Sequence, residues 1–360
     1  MFNFINTWYK RYFTDPQASL LVILLAFGLI ILVTMGKMLA PLLAALIIAY
    51  LLEGAVSKLQ AKDISRFISV NVVYSLFLVF MAFILFGLMP LLSKQVSQFF
   101  QEVPEMMRNI QGLLLRLPEQ YPDLVSEEYV WELNSNLRDS FSALGQNVLS
   151  FSLASMPAVV TILVYLILVP LMIFFFLKDK VVVIDWMASF LPKERHLVNE
   201  VWIEMDAQIG NYVRGKFNEI LIVGSASYIV FVILGLNYAF LLAMVVGLSV
   251  LIPYIGAAIV TLPVALVGYF QWGLNADYNF TWLMISYFVI QFLDGNVLVP
   301  ILFSEAVNLH PIAIIVAILV FGGLWGFWGV FFAIPLATLV KALINVWPIH
   351  EEDTKKIKKK

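Results

Sequence analysis

Residues 282–303 read WLMISYFVIQFLDGNVLVPILF, with one charged side chain, Asp294, in the middle. At 1.5 Å per residue the stretch is about 33 Å long, enough to cross a hydrocarbon core about 30 Å thick. A carboxylate at that depth costs about 2.5–3.5 kcal/mol on insertion scales, so it is retained for a task or a partner. Asp294-Gly295-Asn296 also continues a helix poorly, and the expectation is a span broken at that point. Outward from it, no lysine or arginine occurs from Phe217 to Leu339, although the chain has 22. A run of that length belongs in lipid. The predicted fold is an all-α polytopic transmembrane protein with broken or re-entrant helices.

Composition agrees. Apolar residues make up 62% of the 360 and charged residues 13%, where a soluble domain has about 25% charged. The chain has no cysteine, which excludes disulfides, thiolate metal sites and cysteine nucleophiles. Its three histidines, His196, His310 and His350, lack HExxH spacing, and no GxxxxGK[ST] loop occurs. Neither a metal nor another cofactor is expected, and no serine–histidine or paired-aspartate arrangement in the spans suggests an enzyme.

Charge asymmetry sets the expected topology. Phe4, Ile5, Trp8, Tyr9 and Tyr12 recur at helical spacing beside Lys10-Arg11, as an interfacial helix would. Leu20–Met35 and Met38–Leu52 read as two spans separated by Gly36-Lys37, and Lys58, Lys62 and Arg66 mark a cytoplasmic loop. Phe67–Leu92 crosses outward. Residues 93–155 carry four basic and eight acidic side chains and form an extracytoplasmic amphipathic hairpin, bent or interrupted at Pro104, with Ser126 capping its second helix. Met156–Leu177 returns. Lys178, Lys180, Lys193, Arg195, Arg214 and Lys216 keep the next segment inside, where Leu197 to Tyr212 form an amphipathic helix lying flat on the membrane or below the spans. The units are thus 1–92, 93–155, 156–216, a transport core at 217–347 with interrupted helices, and a cytoplasmic basic tail at 348–360. That tail suits anionic lipid and is no nucleic-acid patch. Both termini lie in the cytoplasm.

Within the core, Ile220–Leu236 reads as a plain span. Ala239–Ile252 and Ala257–Phe270 are short runs flanking Pro253-Tyr254-Ile255-Gly256, and Ile312–Phe321 and Phe327–Leu343 flank a Gly/Trp-rich turn. Each pair returns to its own side, so the count is eight spans or ten. Non-helical backbone at membrane depth survives only where protein or a wet cavity satisfies it. The expected transport pathway is therefore Asp294 with Gln291, Gly295, Asn296 and Pro300, together with Pro253, Tyr254 and Gly256. A carboxyl there fits proton or cation coupling. The plainer alternatives are a structural cap for Asp294 and an interfacial aromatic for Tyr254. Arg214, Lys216, Glu219 and His310 are candidate gate or coupling groups. The plainer view makes the first three surface ion pairs, involving Asp179 or Glu219, and leaves His310 shaping a turn. Glu53 and Glu305 read as interfacial.

Phe174-Phe175-Phe176-Leu177-Lys178-Asp179, Tyr212-Val213-Arg214-Gly215, Ile252-Pro253-Tyr254-Ile255-Gly256, Gln291 with Asp294-Gly295-Asn296 and Pro300, Leu309-His310-Pro311, and Gly326-Phe327-Trp328-Gly329 before Ile334-Pro335 occur in that order. From Pro41 to Pro348 the pattern resembles the autoinducer-2 exporter family of bacterial membrane proteins, and within it the PerM-type permease branch. The resemblance implies an inner-membrane transporter, a homo-oligomer of the pentameric kind, and export of a small polar signalling molecule. It also brings in cation/proton antiport, since some relatives are regarded as antiporters. Glu53-Gly54, Lys216 and Ala257 depart from common family usage and sit with the PerM-type branch. The leading expectation is secondary transport of a small polar solute. Its alternatives are a sodium/proton antiporter and an oligomeric membrane scaffold acting through the 93–155 hairpin.

Overall fold

The computed structural model describes residues 16–120, 126, 128, 130–132, 134–135, 155–192, 196–253, 255–273, 278–303 and 309–346. The interfacial helix, the basic tail, most of the second arm of the 93–155 hairpin, Tyr254 and Glu305 fall outside them. Among the described residues there are helices and turns but no strands. The helices are α1 (Pro16–Gln60), α2 (Arg66–Phe83), α3 (Met89–Gln120), α4 (Ser155–Lys178), α5 (Lys180–Ser189), α6 (His196–Leu234), α7 (Ala239–Ser249), α8 (Ile255–Trp272), α9 (Asn279–Leu293), α10 (Val299–Phe303), α11 (Pro311–Phe331) and α12 (Ala333–Val346). Seven helical stretches among the described residues are long and apolar enough to cross a membrane, fewer than the eight or ten expected.

Part of the difference arises where elements expected to be separate are continuous. α1 runs for 45 residues through Gly36-Lys37 and Pro41 with no break in helical assignment. Leu21 nevertheless packs with Val201 and Met205 of α6, while the Tyr50 hydroxyl donates to the adjacent Asp206 at 2.5 Å. In a straight helix Leu21 and Tyr50 would stand about 44 Å apart. α1 therefore bends between them, and both of its arms lean on the start of α6. Gly36 is pressed against the Trp325 indole, which occupies the space a Cβ would need. In lipid a helix keeps its hydrogen bonds internal, so it bends at a glycine more readily than it opens there.

α6 likewise joins the expected cytoplasmic amphipathic helix to the following span as one 39-residue rod. Of the expected stripe, Val201, Met205 and Tyr212 are buried, but the segment is no separate helix. α3 passes through Pro104 without interruption. Ser126 does open the second arm, its carbonyl accepting from Val130 N.

The rods bracket two hairpins. After α6, Gly235 (φ 71°) and Tyr238 (φ 57°) turn the chain into α7, which runs back along α6 with Gly247 seated on Gly224. The chain turns again at 250–253, and α8 returns beside Phe231, with its Gln271 amide donating to the Gly235 carbonyl at 2.7 Å. α11 starts a second hairpin that reverses at Gly326 (φ 61°, ψ −136°), bringing the Gly329 backbone onto the Phe321 carbonyl. Its return limb carries Leu339 to Val201 and Leu21. The first hairpin thus enters from the end of the molecule holding Gly235 and Gln271. The second enters from the opposite end, where Glu53 pairs with Arg66 (3.2 Å) and Lys180 (3.5 Å). We call these the acidic and basic faces. Each hairpin follows a long helix, and the two helix-plus-hairpin units are oppositely oriented.

Candidate functional site

The backbone around Asp294 is where the sequence reading needs its main correction. Asp294-Gly295-Asn296 does not break the helix. Residues Asp294–Leu298 form one π turn, and Val299 N donates to the Asp294 carbonyl five residues back. The reason lies at Pro300, which has no N–H and whose ring would strike the carbonyl of Asn296 four residues earlier. Widening that turn moves the carbonyl aside while the chain stays hydrogen-bonded. Ile84–Leu88 repeats the device ahead of Pro90.

The π turn leaves Asp294 half-buried. Its Oδ1 and the Nε2 of Gln291, one turn earlier, are both shut off from solvent without a hydrogen-bond partner. Gln291 therefore does not hold the carboxyl, and both groups are available to something else. Asn296 points elsewhere, donating to the Phe292 carbonyl at 2.9 Å on an exposed face. Gly295 and Pro300 are also exposed.

Across from this turn, α6 supplies a buried ion pair. Lys216 Nζ lies 2.7 Å from Glu219 Oε2, with the side chains only 5% and 2% exposed. The pair is therefore no surface contact, as the sequence reading preferred. Lys216 also donates to the Val250 carbonyl at 2.8 Å. That carbonyl lies at the C-terminal end of α7, where helix carbonyls lack intrahelical partners and a cation is favoured. The Phe303 ring lies under the ammonium at 5.2 Å and packs on Gly215, which has no room for a Cβ. The π turn that carries Asp294 packs against α6, so Asp294 and the Lys216–Glu219 pair sit on two elements in contact.

The first hairpin's tip adjoins the Lys216–Glu219 pair. Pro253 lies in its turn, and Gly256 is required because a Cβ there would run into the Ser249 carbonyl. Arg214 stays apart. It donates to Asn211 at 2.9 Å between Gly54 and Gly210, while the expected partner Asp179 pairs with Lys178 instead. His310 caps α11, its Nδ1 accepting from Ile312 N ahead of Pro311.

Several contributors were missed in the sequence. The Val250 carbonyl and the Phe303 ring complete the Lys216 site. Tyr287, fully buried, donates to the Ala257 carbonyl at 3.1 Å beside Thr261 and ties α9 to the hairpin tip. A tyrosine inside the 282–303 span was a usable signal, because a buried phenol needs a partner.

Oppositely oriented hairpins around a buried charged unit define a polytopic helical membrane protein of the transporter class. The chain belongs to the AI-2E transporter family: the AI-2E family transporter profile matches residues 20–349. It is 45% identical to PerM of Escherichia coli (strain K12), named as a permease, over 97% of this chain and 98% of that one. YueF and YrrI of Bacillus subtilis (strain 168), both named as transport proteins, are 28% and 25% identical over 84% of this chain and over 82% and 85% of their own lengths. The protein is a multi-pass membrane transport protein and not an enzyme.

Proposed function

We propose that this chain is an inner-membrane secondary transporter carrying a small polar solute, such as an autoinducer-2-like signal, along a route past Asp294. The observation that carries this reading is the buried Lys216–Glu219 pair, with the half-buried Asp294 on the adjoining π turn, beside the tip of a re-entrant hairpin. Two carboxylates and one ammonium leave one negative charge unbalanced in a low-dielectric setting. A proton or a monovalent cation completes it, and coupling follows if the solute and that charge are handled in alternation. The hairpins, entering from opposite faces, are thin barriers suited to alternating access. In this reading both termini are cytoplasmic and the working form is a homo-oligomer, with a pentamer suggested by the family resemblance. A sodium/proton antiporter is the second reading, favoured by the same charge deficit.

The test is flux into liposomes with a panel of small polar solutes and imposed proton or sodium gradients. Asp294→Asn, inserted normally, is expected to lower flux about tenfold or more, equivalent to ~1.4 kcal/mol on the barrier. Undiminished, gradient-dependent flux in that variant removes Asp294 from the mechanism. Gradient-driven sodium movement without solute flux selects the antiporter. A complete absence of flux, with the cellular phenotype lost on deleting the 93–155 hairpin, selects the scaffold.

A further inference from the structure

Two buried polar side chains, Tyr212 and Lys216, stand one helical turn apart on α6, and each reaches a different hairpin. The Tyr212 hydroxyl donates to the Phe331 carbonyl at 3.0 Å, and Lys216 Nζ donates to the Val250 carbonyl at 2.8 Å. Residues four apart on a helix are neighbours on one face, so both hairpins are tied to the same strip of α6. Phe303 closes the strip. Its ring lies 5.9 Å from the Tyr212 ring and 5.2 Å from Lys216 Nζ. The hairpins meet there too, since Leu251 of the first packs against the cluster that holds Phe331, Ala333 and Ile334 of the second.

Both carbonyls need an outside donor for the same reason. In a helix the Phe331 carbonyl would accept from the amide four residues on, but that residue is Pro335, which has no N–H. Its neighbours keep helical partners: Phe332 N donates to the Trp328 carbonyl and Leu336 N to the Phe332 carbonyl. At the first hairpin the chain leaving α7 tightens, with Leu251 N on the Leu248 carbonyl and Ile252 N on the Ser249 carbonyl. The next residue in that series is Pro253, again without an N–H to give to Val250. An open carbonyl away from water is costly, so each hairpin is seated by a donor from α6. We propose that Tyr212 and Lys216 are positioning residues that form a double latch, each holding one hairpin closed through a single side chain–carbonyl bond. Tyr212 holds the hairpin of the basic face and Lys216 that of the acidic face. The bonds end on different hairpins, so one can part while the other holds, as alternating access demands of barriers entering from opposite faces. The role of the latch in a cycle rests on the transport reading, but the bonds themselves are tested without any flux.

Backbone hydrogen exchange read by mass spectrometry, on the full chain in lipid nanodiscs, follows the opening of each hairpin separately. Tyr212→Phe keeps the ring and removes only the hydroxyl. Exchange across residues 327–336 is expected to rise about tenfold, while residues 239–252 stay at the parent rate. Lys216→Met/Glu219→Leu, which removes the ion pair without stranding a charge, should speed 239–252 and leave 327–336 unchanged. Thr338→Val deletes another buried hydroxyl of the second hairpin, one whose bonds go to the Ile334 and Pro335 carbonyls of its own helix, and should change neither. A merely structural loss would speed both hairpins together. The latch is overturned by parent-like exchange at 327–336 in Tyr212→Phe, by an equal rise in both hairpins in either variant, or by Thr338→Val matching Tyr212→Phe. If the selective pattern holds while no solute or ion flux is found, the latch stands and the transport reading fails.

Discussion

Lys216 pairs with Glu219 while Asp294 lies on the π turn packed against the same helix, and the consequences of removing each charge are expected to differ. Deleting Lys216 as Lys216→Met leaves Glu219 without its cation and Asp294 on the adjoining turn, whereas Glu219→Gln leaves Lys216 with Asp294 on that turn. Breaking a buried pair by removing one side costs about 3–5 kcal/mol when the remaining charge is stranded. Lys216→Met is therefore expected to melt several degrees below the parent in detergent and Glu219→Gln to melt between the two. Thermal unfolding of the purified variants checks the order, and a lower melting temperature for Glu219→Gln than for Lys216→Met would refute that expectation. Joint replacement as Lys216→Met/Glu219→Leu is expected to recover much of the stability, because apolar side chains of similar volume can replace a buried pair at little cost. Asp294→Asn removes the unbalanced charge and should be neutral or stabilising while flux falls. That separation distinguishes a carboxylate kept for transport from one kept for folding.

Among the elements, the hairpin tips rest on glycines that meet backbone, not movable side chains. A Cβ at Gly256 would meet the Ser249 carbonyl, and one at Gly329 the Phe321 carbonyl. Gly256→Ala and Gly329→Ala are each expected to cost about 1–3 kcal/mol or more, the range for forcing atoms into a filled site. Gly28→Ala, in a helix with nothing within 4 Å of the added methyl, should be neutral or gain up to about 1 kcal/mol. Melting temperatures of the three variants test the contrast, and equal effects would argue against tight tips. These turns were readable in the sequence because Pro253, Gly256, Gly326 and Gly329 interrupt runs too short to span. The π turn at Asp294 was not, since Gly-Asn after an aspartate looks like a break until the need to satisfy backbone groups in lipid is applied. The continuity of α6 was hidden for a related reason, as its first half is amphipathic and its second uniformly apolar. The Lys216–Glu219 spacing was visible, but a three-residue offset fits an exposed pair as well as a buried one. Only the α7 end, which puts the Val250 carbonyl on Lys216, distinguishes them.

At the scale of the whole molecule, two oppositely oriented units imply that the faces differ in what they expose. The basic face gathers Lys58, Lys62 and Arg66, while α3 carries Glu102 and Glu105 on the other. Positive charge is retained on the cytoplasmic side, so the Glu105 end should be extracytoplasmic. The chain contains no cysteine, which makes any introduced thiol a clean probe. Glu105 and Lys62 are both exposed, so Glu105→Cys and Lys62→Cys should insert without disturbing the fold. A membrane-impermeant maleimide is expected to label Glu105→Cys in intact spheroplasts and Lys62→Cys only after the membrane is opened. The reverse pattern would invert the molecule and exchange the faces from which the two hairpins enter. Labelling of both thiols in intact spheroplasts would be harder to accommodate, because Arg66 to Gly112 offers one long apolar rod between them and places them on opposite sides of a single crossing.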